Sequence, residues 1–290
     1  MDLTDISVIR SLLGDEQTSF KKKFGQNFLT NRQVVRRIAE SAADSRTGIL
    51  EIGPGIGTLT KELCEVAKRV VAVEIDDALI PILSKTLDGY DNLTVINSDI
   101  LKVDLKKLTE EYFPDCERIA VCANLPYYIT TPILMFLLES GIAFESITVM
   151  VQKEVADRLT AAAGSPLYGA VTASVSYYGQ AKKLMNVSAG NFIPAPKVDS
   201  AVVQITLYKE PPIVTADTDL FFETIRAAFG QRRKTLVNAL SSAFPMLAKA
   251  DIADAVVSCG FDPNVRGEKL NIVDFAKIAD GIYRLKSDTK

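Results

Sequence analysis

Gly48-Ile49-Leu50-Glu51-Ile52-Gly53-Pro54-Gly55-Ile56-Gly57 decides the reading of the fold. A short apolar run ends in three alternating glycines, and Thr58 to Val66 follows with helical patterning. Strand, glycine turn and helix open an α/β unit whose backbone approaches a ligand closely and offers helix N-terminal amides to it. Outward from this point, short β-branched runs alternate with helix-like stretches, as in a parallel sheet covered on both faces. Strands are predicted at 48–52, 69–75, 93–97, 119–123 and 146–151, and helices at 34–42, 58–66, 78–87, 132–138 and 153–161. Thr130 or Thr131 is expected to cap the fourth of these helices, with Pro132 in its first turn. Two later strands, 181–187 and 201–208, are joined by a proline-bearing loop at 191–198 and predict an antiparallel hairpin at the sheet edge.

Pro211-Pro212 divides the chain into an expected α/β domain, 1–210, and a small all-helical domain, 211–290. Beyond the prolines, Phe222, Ile225, Phe229, Leu236, Leu240 and Phe244 fall on one helical stripe, which Gly230 bends or divides. With 290 residues, 48% hydrophobic and 24% charged, the chain is long and apolar enough for a packed core. Two uncharged runs, 119–138 and 159–181, carry Pro, Gly, Ser and Thr and do not read as membrane spans. Asp2, Asp5 and Arg10 leave no apolar leader at the N-terminus, so a cytoplasmic location is expected.

The chain has no histidine, and its four cysteines form no CxxC pair. No metal site is expected, and Ser-His-Asp and Cys-His mechanisms are excluded. The net charge of −3 conceals two basic segments. Lys21, Lys22, Lys23, Arg32, Arg36 and Arg37 form one, and Arg226, Arg232, Arg233 and Lys234 the other, neither containing an acid. Each reads either as a solvated face or as a track for a phosphate backbone.

Glu74 ends the second strand, where a carboxylate can accept both hydroxyls of a ribose. Asp99 ends the third and is placed to accept from an adenine amino group, with Ile75 and Ile100 as apolar neighbours of the ring. Gly53, Gly55 and Glu74 alone do not separate hydride transfer from methyl transfer, although the glycine spacing leans away from GxGxxG. Asn124-Leu125-Pro126-Tyr127 follows the fourth strand on the same rim. An amide oxygen, a backbone carbonyl oriented by proline and an aromatic ring can grip an exocyclic amine and stack on its base, which points to methyl transfer to an amino nitrogen. Tyr128 reads as packing.

Six stretches together resemble the ribosomal RNA adenine N6,N6-dimethyltransferase family: Lys23 to Leu29, Glu51 to Gly57, Asn124 to Tyr128, Gln152 to Val155, Phe192 to Ser200 and Gln231 to Thr235. The resemblance spans about residues 20 to 285 and is strongest toward the small-subunit branch. It implies a Rossmann-like, seven-stranded class I methyltransferase sheet binding S-adenosylmethionine, followed by a helical RNA-binding domain. It also implies dimethylation of two adjacent adenosines in a hairpin near the 3′ end of small-subunit (16S) rRNA during subunit biogenesis. The partner would be small-subunit rRNA or a pre-30S particle, met by a monomer with neither metal nor membrane. Residue by residue, Asn27 and Leu29 would contact the cofactor from the N-terminal segment, Gly53 its amino-acid end, Glu74 its ribose and Asp99 its adenine. Asn124 would lie between cofactor and target, and Phe192 would be a second aromatic at the target base. The first 19 or so residues match no motif.

Three other readings stay open at this level. A large-subunit rRNA adenine methyltransferase of the macrolide-resistance kind would share the chemistry, but Leu125 and the Gln231 to Thr235 segment favour the small-subunit branch. A non-catalytic RNA-binding assembly factor would have no need of Glu74, Asp99, Asn124 and Tyr127. A nicotinamide dehydrogenase is disfavoured by the glycine spacing.

Overall fold

The computed structural model of the protein describes residues 1–14 and 26–288. Seven strands form one sheet: β2 (Thr47–Ile52), β3 (Arg69–Glu74), β4 (Leu93–Asn97), β5 (Arg118–Asn124), β6 (Phe144–Gln152), β7 (Gly179–Val187) and β9 (Ser200–Leu207), in the order β4-β3-β2-β5-β6-β9-β7. Strands β4 through β6 in that order pair parallel, and β9 turns the sheet antiparallel against β6. The order reverses at β2, whose neighbours β3 and β5 leave it in opposite directions. Ligands of open α/β sheets bind at such a switch point, beyond the carboxyl ends of the strands. All six residues of β2 are buried, which explains its near-continuous apolar run and makes Glu51 within it conspicuous.

The helices of this part are α1 (Ile6–Leu13), α2 (Arg32–Ala42), α3 (Thr58–Val66), α4 (Ile80–Thr86), α5 (Leu105–Tyr112), α6 (Thr130–Leu138) and α7 (Lys153–Leu159). Asn31 caps α2 by accepting from the Gln33 and Val34 amides at 3.1 and 3.3 Å, and Val35, Ile38, Ala39 and Ala42 bury one stripe. The expected threonine cap on α6 is not formed. Ile129 is the cap residue, and Thr130, already in the first turn, donates its hydroxyl to the Pro126 carbonyl at 3.2 Å. Helices α1 and α5 had no counterpart in the sequence reading; each begins at an aspartate cap, Asp5 and Asp104.

The chain divides into two compact units, 1–156 with 181–207 and 157–180 with 208–290. Residues 157–180, expected within the first domain, therefore cluster with the second. They supply α8 (Ala170–Tyr178), whose valines, serines, threonine and tyrosines are weak helix formers. Packing decides its state, since Thr172, Ala173, Ser174, Val175 and Tyr177 are all buried. The second unit is otherwise α9 (Thr218–Gly230), α10 (Leu236–Ala243), α11 (Lys249–Ser258) and α12 (Ile272–Asp288). Gly230 ends α9 and so divides the long apolar stripe. Tyr177, Phe221 and Phe222 form an aromatic cluster with centroids 5.1 to 5.4 Å apart. No helix of the described residues is long and apolar enough to cross a membrane.

Candidate active site

One cavity of the first unit collects the carboxyl ends of β2, β3, β4 and β5. Among the predicted site residues, Asn27, Leu29, Gly53, Gly55, Glu74, Ile75, Asp99, Ile100, Asn124, Leu125, Pro126 and Tyr127 all line it. Phe192 does not. It forms the short strand β8 (Phe192–Ile193), paired antiparallel with β1 (Phe28–Leu29), and its ring is buried in a core cluster with Leu29, Val187 and Val202. In this arrangement Phe192 packs against Leu29.

The glycine loop adopts left-handed backbone at Gly53, Gly55 and Gly57, with φ of 69°, 63° and 91°. That conformation favours glycine, and a Cβ on Gly55 would sit 3.2 Å from the Phe28 ring. The amides of the three loop glycines are bonded within the protein. Gly53 N–H donates to the Val73 carbonyl at 2.9 Å, Gly55 N–H to Glu74 Oε2 at 3.0 Å and Gly57 N–H to the Pro54 carbonyl at 2.9 Å. None of the three is left to cradle an anion.

Glu74 is 3% exposed and braces the loop; its Oε1 accepts from the Asp76 amide at 2.9 Å. Burial raises its pKa, and the amides of Asp76 and Gly55 oppose the shift. Asp99 caps a short 3-10 turn through the Leu101 amide at 3.1 Å and lies 3.7 Å from Lys102 Nζ. Ile100 is buried and Ile75 is half exposed.

Asn124 Nδ2 donates to the Asn27 carbonyl at 3.1 Å. That bond fixes the amide so that Oδ1 is its acceptor face, and it ties the N-terminal segment to the tetrapeptide. Leu125 is 1% exposed, with its amide donating to the Met150 carbonyl at 3.2 Å. The Tyr127 hydroxyl shares a 2.7 Å hydrogen bond with Ser200 Oγ, and burial pushes its phenol pKa up. Tyr128, read as packing, is instead 65% exposed at the cavity wall.

Sequence reasoning also missed Glu51. It lines the cavity at 1% exposure, and its Oε2 has no hydrogen-bond partner. Burial pushes its pKa up to about 8, aided by the nearby Glu74 charge. Thr60 lies close enough to oppose the shift, yet its hydroxyl makes no hydrogen bond of acceptable geometry. The signal was available: a carboxylate inside an otherwise apolar central strand.

The basic segments are uneven. Lys21 to Lys23 lie outside the described residues, as does the start of the Lys23 to Leu29 motif. Arg32 pairs with Glu62 at 3.1 Å and Arg36 with Glu40 at 2.8 Å. In the second unit, Arg232 donates to the Pro166 and Tyr168 carbonyls at 2.7 and 3.2 Å, a clamp on that loop. Arg226, Arg233 and Lys234 are exposed.

The family profile described as ribosomal RNA adenine dimethylase matches residues 17–282. The ribosomal RNA small subunit methyltransferase A of Bacillus licheniformis is 47% identical over 274 residues, covering 93% of this chain and 94% of that protein. Its namesake from Streptococcus gordonii is 46% identical over 285 residues, covering 97% and 98%. Among solved structures, a dimethyladenosine transferase from Plasmodium falciparum superposes with a TM-score of 0.73 at 27% identity, covering 86% and 95% of the two chains. The 23S rRNA methyltransferase ErmE follows at 0.67 and 26%, covering 90% and 100%. The chain belongs to the ribosomal RNA adenine dimethylase family.

Proposed function

We propose that this protein transfers methyl groups from S-adenosylmethionine to N6 of two adjacent adenosines of small-subunit rRNA, during assembly of that subunit. The observation that carries the reading is the charge of the cavity. Glu51, Glu74 and Asp99 line it, and no lysine or arginine does among the described residues. Buried Glu51 Oε2 and Gln26 Oε1 are acceptors without partners. A ligand bearing an ammonium and a sulfonium fits such a site; a pyrophosphate, meeting three carboxyls and glycine amides already bonded, does not. The dehydrogenase reading is disfavoured on the same ground.

When bound, the cofactor supplies an electrophilic methyl group on a sulfonium. Everything else falls to the chain. Glu74 would take the ribose hydroxyls while still bracing Gly55, and Asp99 would accept from the adenine amine between Ile75 and Ile100. Asn27, Leu29 and Gly53 would complete the wall.

The N6 amine of adenine is a weak nucleophile because its lone pair is delocalised into the ring. Asn124 Oδ1 and the Leu125 carbonyl would accept its two N–H bonds, favouring a pyramidal nitrogen with its lone pair free to attack. Pro126 directs that carbonyl, and Tyr127, held by Ser200, would stack on the base. Well-oriented reactants save roughly 7–11 kcal/mol of barrier, so positioning can supply most of the rate. The methylated nitrogen loses its proton to water, in keeping with a chain that has no histidine.

Extruding a base costs a few kcal/mol, and one aromatic stack returns roughly 1–3 kcal/mol. Hairpin selection is assigned to exposed Arg233, Lys234 and Arg226 of the second unit. Primer extension on rRNA from cells with and without the gene tests the whole reading, because dimethylated adenine blocks pairing. A gene-dependent stop near the 3′ end of small-subunit rRNA is expected. A stop in large-subunit rRNA would transfer the activity to the substrate class named for ErmE, and no stop in either would leave a binding protein.

A further inference from the structure

Two tyrosines stand side by side after β5, and the transfer chemistry above uses only the first. Tyr127 is partly buried with its hydroxyl on Ser200, whereas Tyr128 is 65% exposed although it lines the same cavity. The backbone around Tyr128 is pinned on both sides. Before it, the Leu125 amide donates to the Met150 carbonyl at 3.2 Å; after it, the Ile129 amide and the Thr130 hydroxyl both donate to the Pro126 carbonyl at 3.2 Å. The turn closes on itself and runs directly into α6, which starts at Thr130. On that fixed base the side chain is unspent, with no hydrogen bond or ring contact to another described residue.

A lone aromatic elsewhere on the surface would need no explanation. This one stands on the wall of the cavity where an extruded strand has to be received. A fixed turn that presents a free aromatic face is what a single-stranded nucleic acid stacks on.

We propose that Tyr128 is the stacking platform for the nucleotide that adjoins the target adenosine: while Tyr127 holds the base that receives the methyl group, Tyr128 takes the purine beside it. This rests on the function proposed above and names a specificity residue for it. Two rings carried on one turn hold two successive bases out of the helix together, so the second adenosine stays at the site while the first reacts. A purine offers the larger stacking face, which favours an adenosine over a pyrimidine at that position. The cofactor is the competing occupant of this wall, and the test separates the two.

The test is equilibrium binding of an rRNA hairpin with two adjacent adenosines to the full chain in saturating S-adenosylhomocysteine. Two further hairpins carry an abasic nucleotide at one or the other of those adenosines. Wild type, Tyr128→Phe and Tyr128→Ala are compared; the side chain is exposed, so truncation leaves the core intact. One stacked base contributes roughly five- to 150-fold in affinity. Tyr128→Ala is therefore expected to bind the intact hairpin about tenfold more weakly, near the lower end of that range. It should also be indifferent to the abasic substitution that weakens wild type at the neighbouring position. Tyr128→Phe should match wild type throughout.

An abasic penalty that is the same in wild type and Tyr128→Ala at both positions overturns the proposal, because the ring then meets neither base. A fall in the affinity of Tyr128→Ala for S-adenosylhomocysteine alone, at unchanged hairpin affinity, gives the ring to the cofactor and overturns it as well. A wild type that binds S-adenosylhomocysteine but none of the hairpins removes the RNA reading, and this inference with it. A spectroscopic arm reads the stack directly. With 2-aminopurine at the neighbouring position, wild type and Tyr128→Phe should quench its fluorescence more than Tyr128→Ala does; equal quenching by all three would sink the platform even if affinities differed.

Discussion

The cavity of the first unit and the Gly230 to Thr235 turn of the second show how one chain separates opposite charges. In the cavity, carboxyls are buried, glycine amides are bonded within the protein, and no described lysine or arginine lines the wall. In the turn, Arg233 and Lys234 stand in solvent, and Arg232 is spent on two backbone carbonyls. A net charge of −3 averages over both and describes neither. Burial is what makes the difference: a carboxyl out of water acts at short range on one small cation, whereas an exposed guanidinium acts weakly on any phosphate within a Debye length.

The comparison is broken most severely at Asn124. In the proposed mechanism Asn124 supplies an acceptor for the transition state, so Asn124→Ala is expected to slow methyl transfer by on the order of 10²–10³-fold, the scale of losing one preorganised group. RNA binding, measured by filter retention, should persist; a variant with the wild-type transfer rate would overturn the mechanism.

Next in size is Glu74→Ala. It strands the Gly55 and Asp76 amides, each costing about 1–3 kcal/mol when buried without a partner. Both the melting temperature and the affinity for S-adenosylhomocysteine should fall. Loss of affinity at unchanged stability would show that Glu74 does not brace the loop.

The turn is probed by Arg233→Glu with Lys234→Glu. Affinity for the rRNA fragment should drop by about tenfold or more at low salt, with a shallower salt dependence, while cofactor affinity holds. Equal losses of both would erase the distinction between the two regions. Arg232 is the wrong residue for this test, because reversing it also releases the Pro166 and Tyr168 carbonyls.

The smallest effect is expected from Tyr127→Phe, which keeps the ring and loses the Ser200 bond. A hydrogen bond of this kind contributes about 0.5–1.5 kcal/mol, so KM for RNA should rise modestly with kcat little changed. Collapse of kcat would instead give the hydroxyl a chemical role.

Much of this was legible before any coordinates. The glycine loop, Glu74, Asp99 and Asn124 to Tyr127 were readable because strand ends in a parallel sheet converge on one rim, so spacing along the chain maps onto proximity in space. Helices α1, α5 and α8 were not. The first two are short, and α8 is built of weak helix formers that only burial makes helical. The pairing of Phe192 with Leu29 was not legible for a similar reason: it spans over 160 residues of sequence, and no local pattern encodes it.

By itself, then, the amino-acid sequence determined the α/β class, the rim and the residue types on it, because periodicity and turn chemistry are local properties. Only the tertiary structure decided which groups remained available. It bonded the glycine amides inward, clamped Arg232, buried Phe192, exposed Tyr128 and left Glu51 without a partner. Those outcomes depend on contacts between distant segments and on the removal of water, and neither is written in any single stretch of the chain.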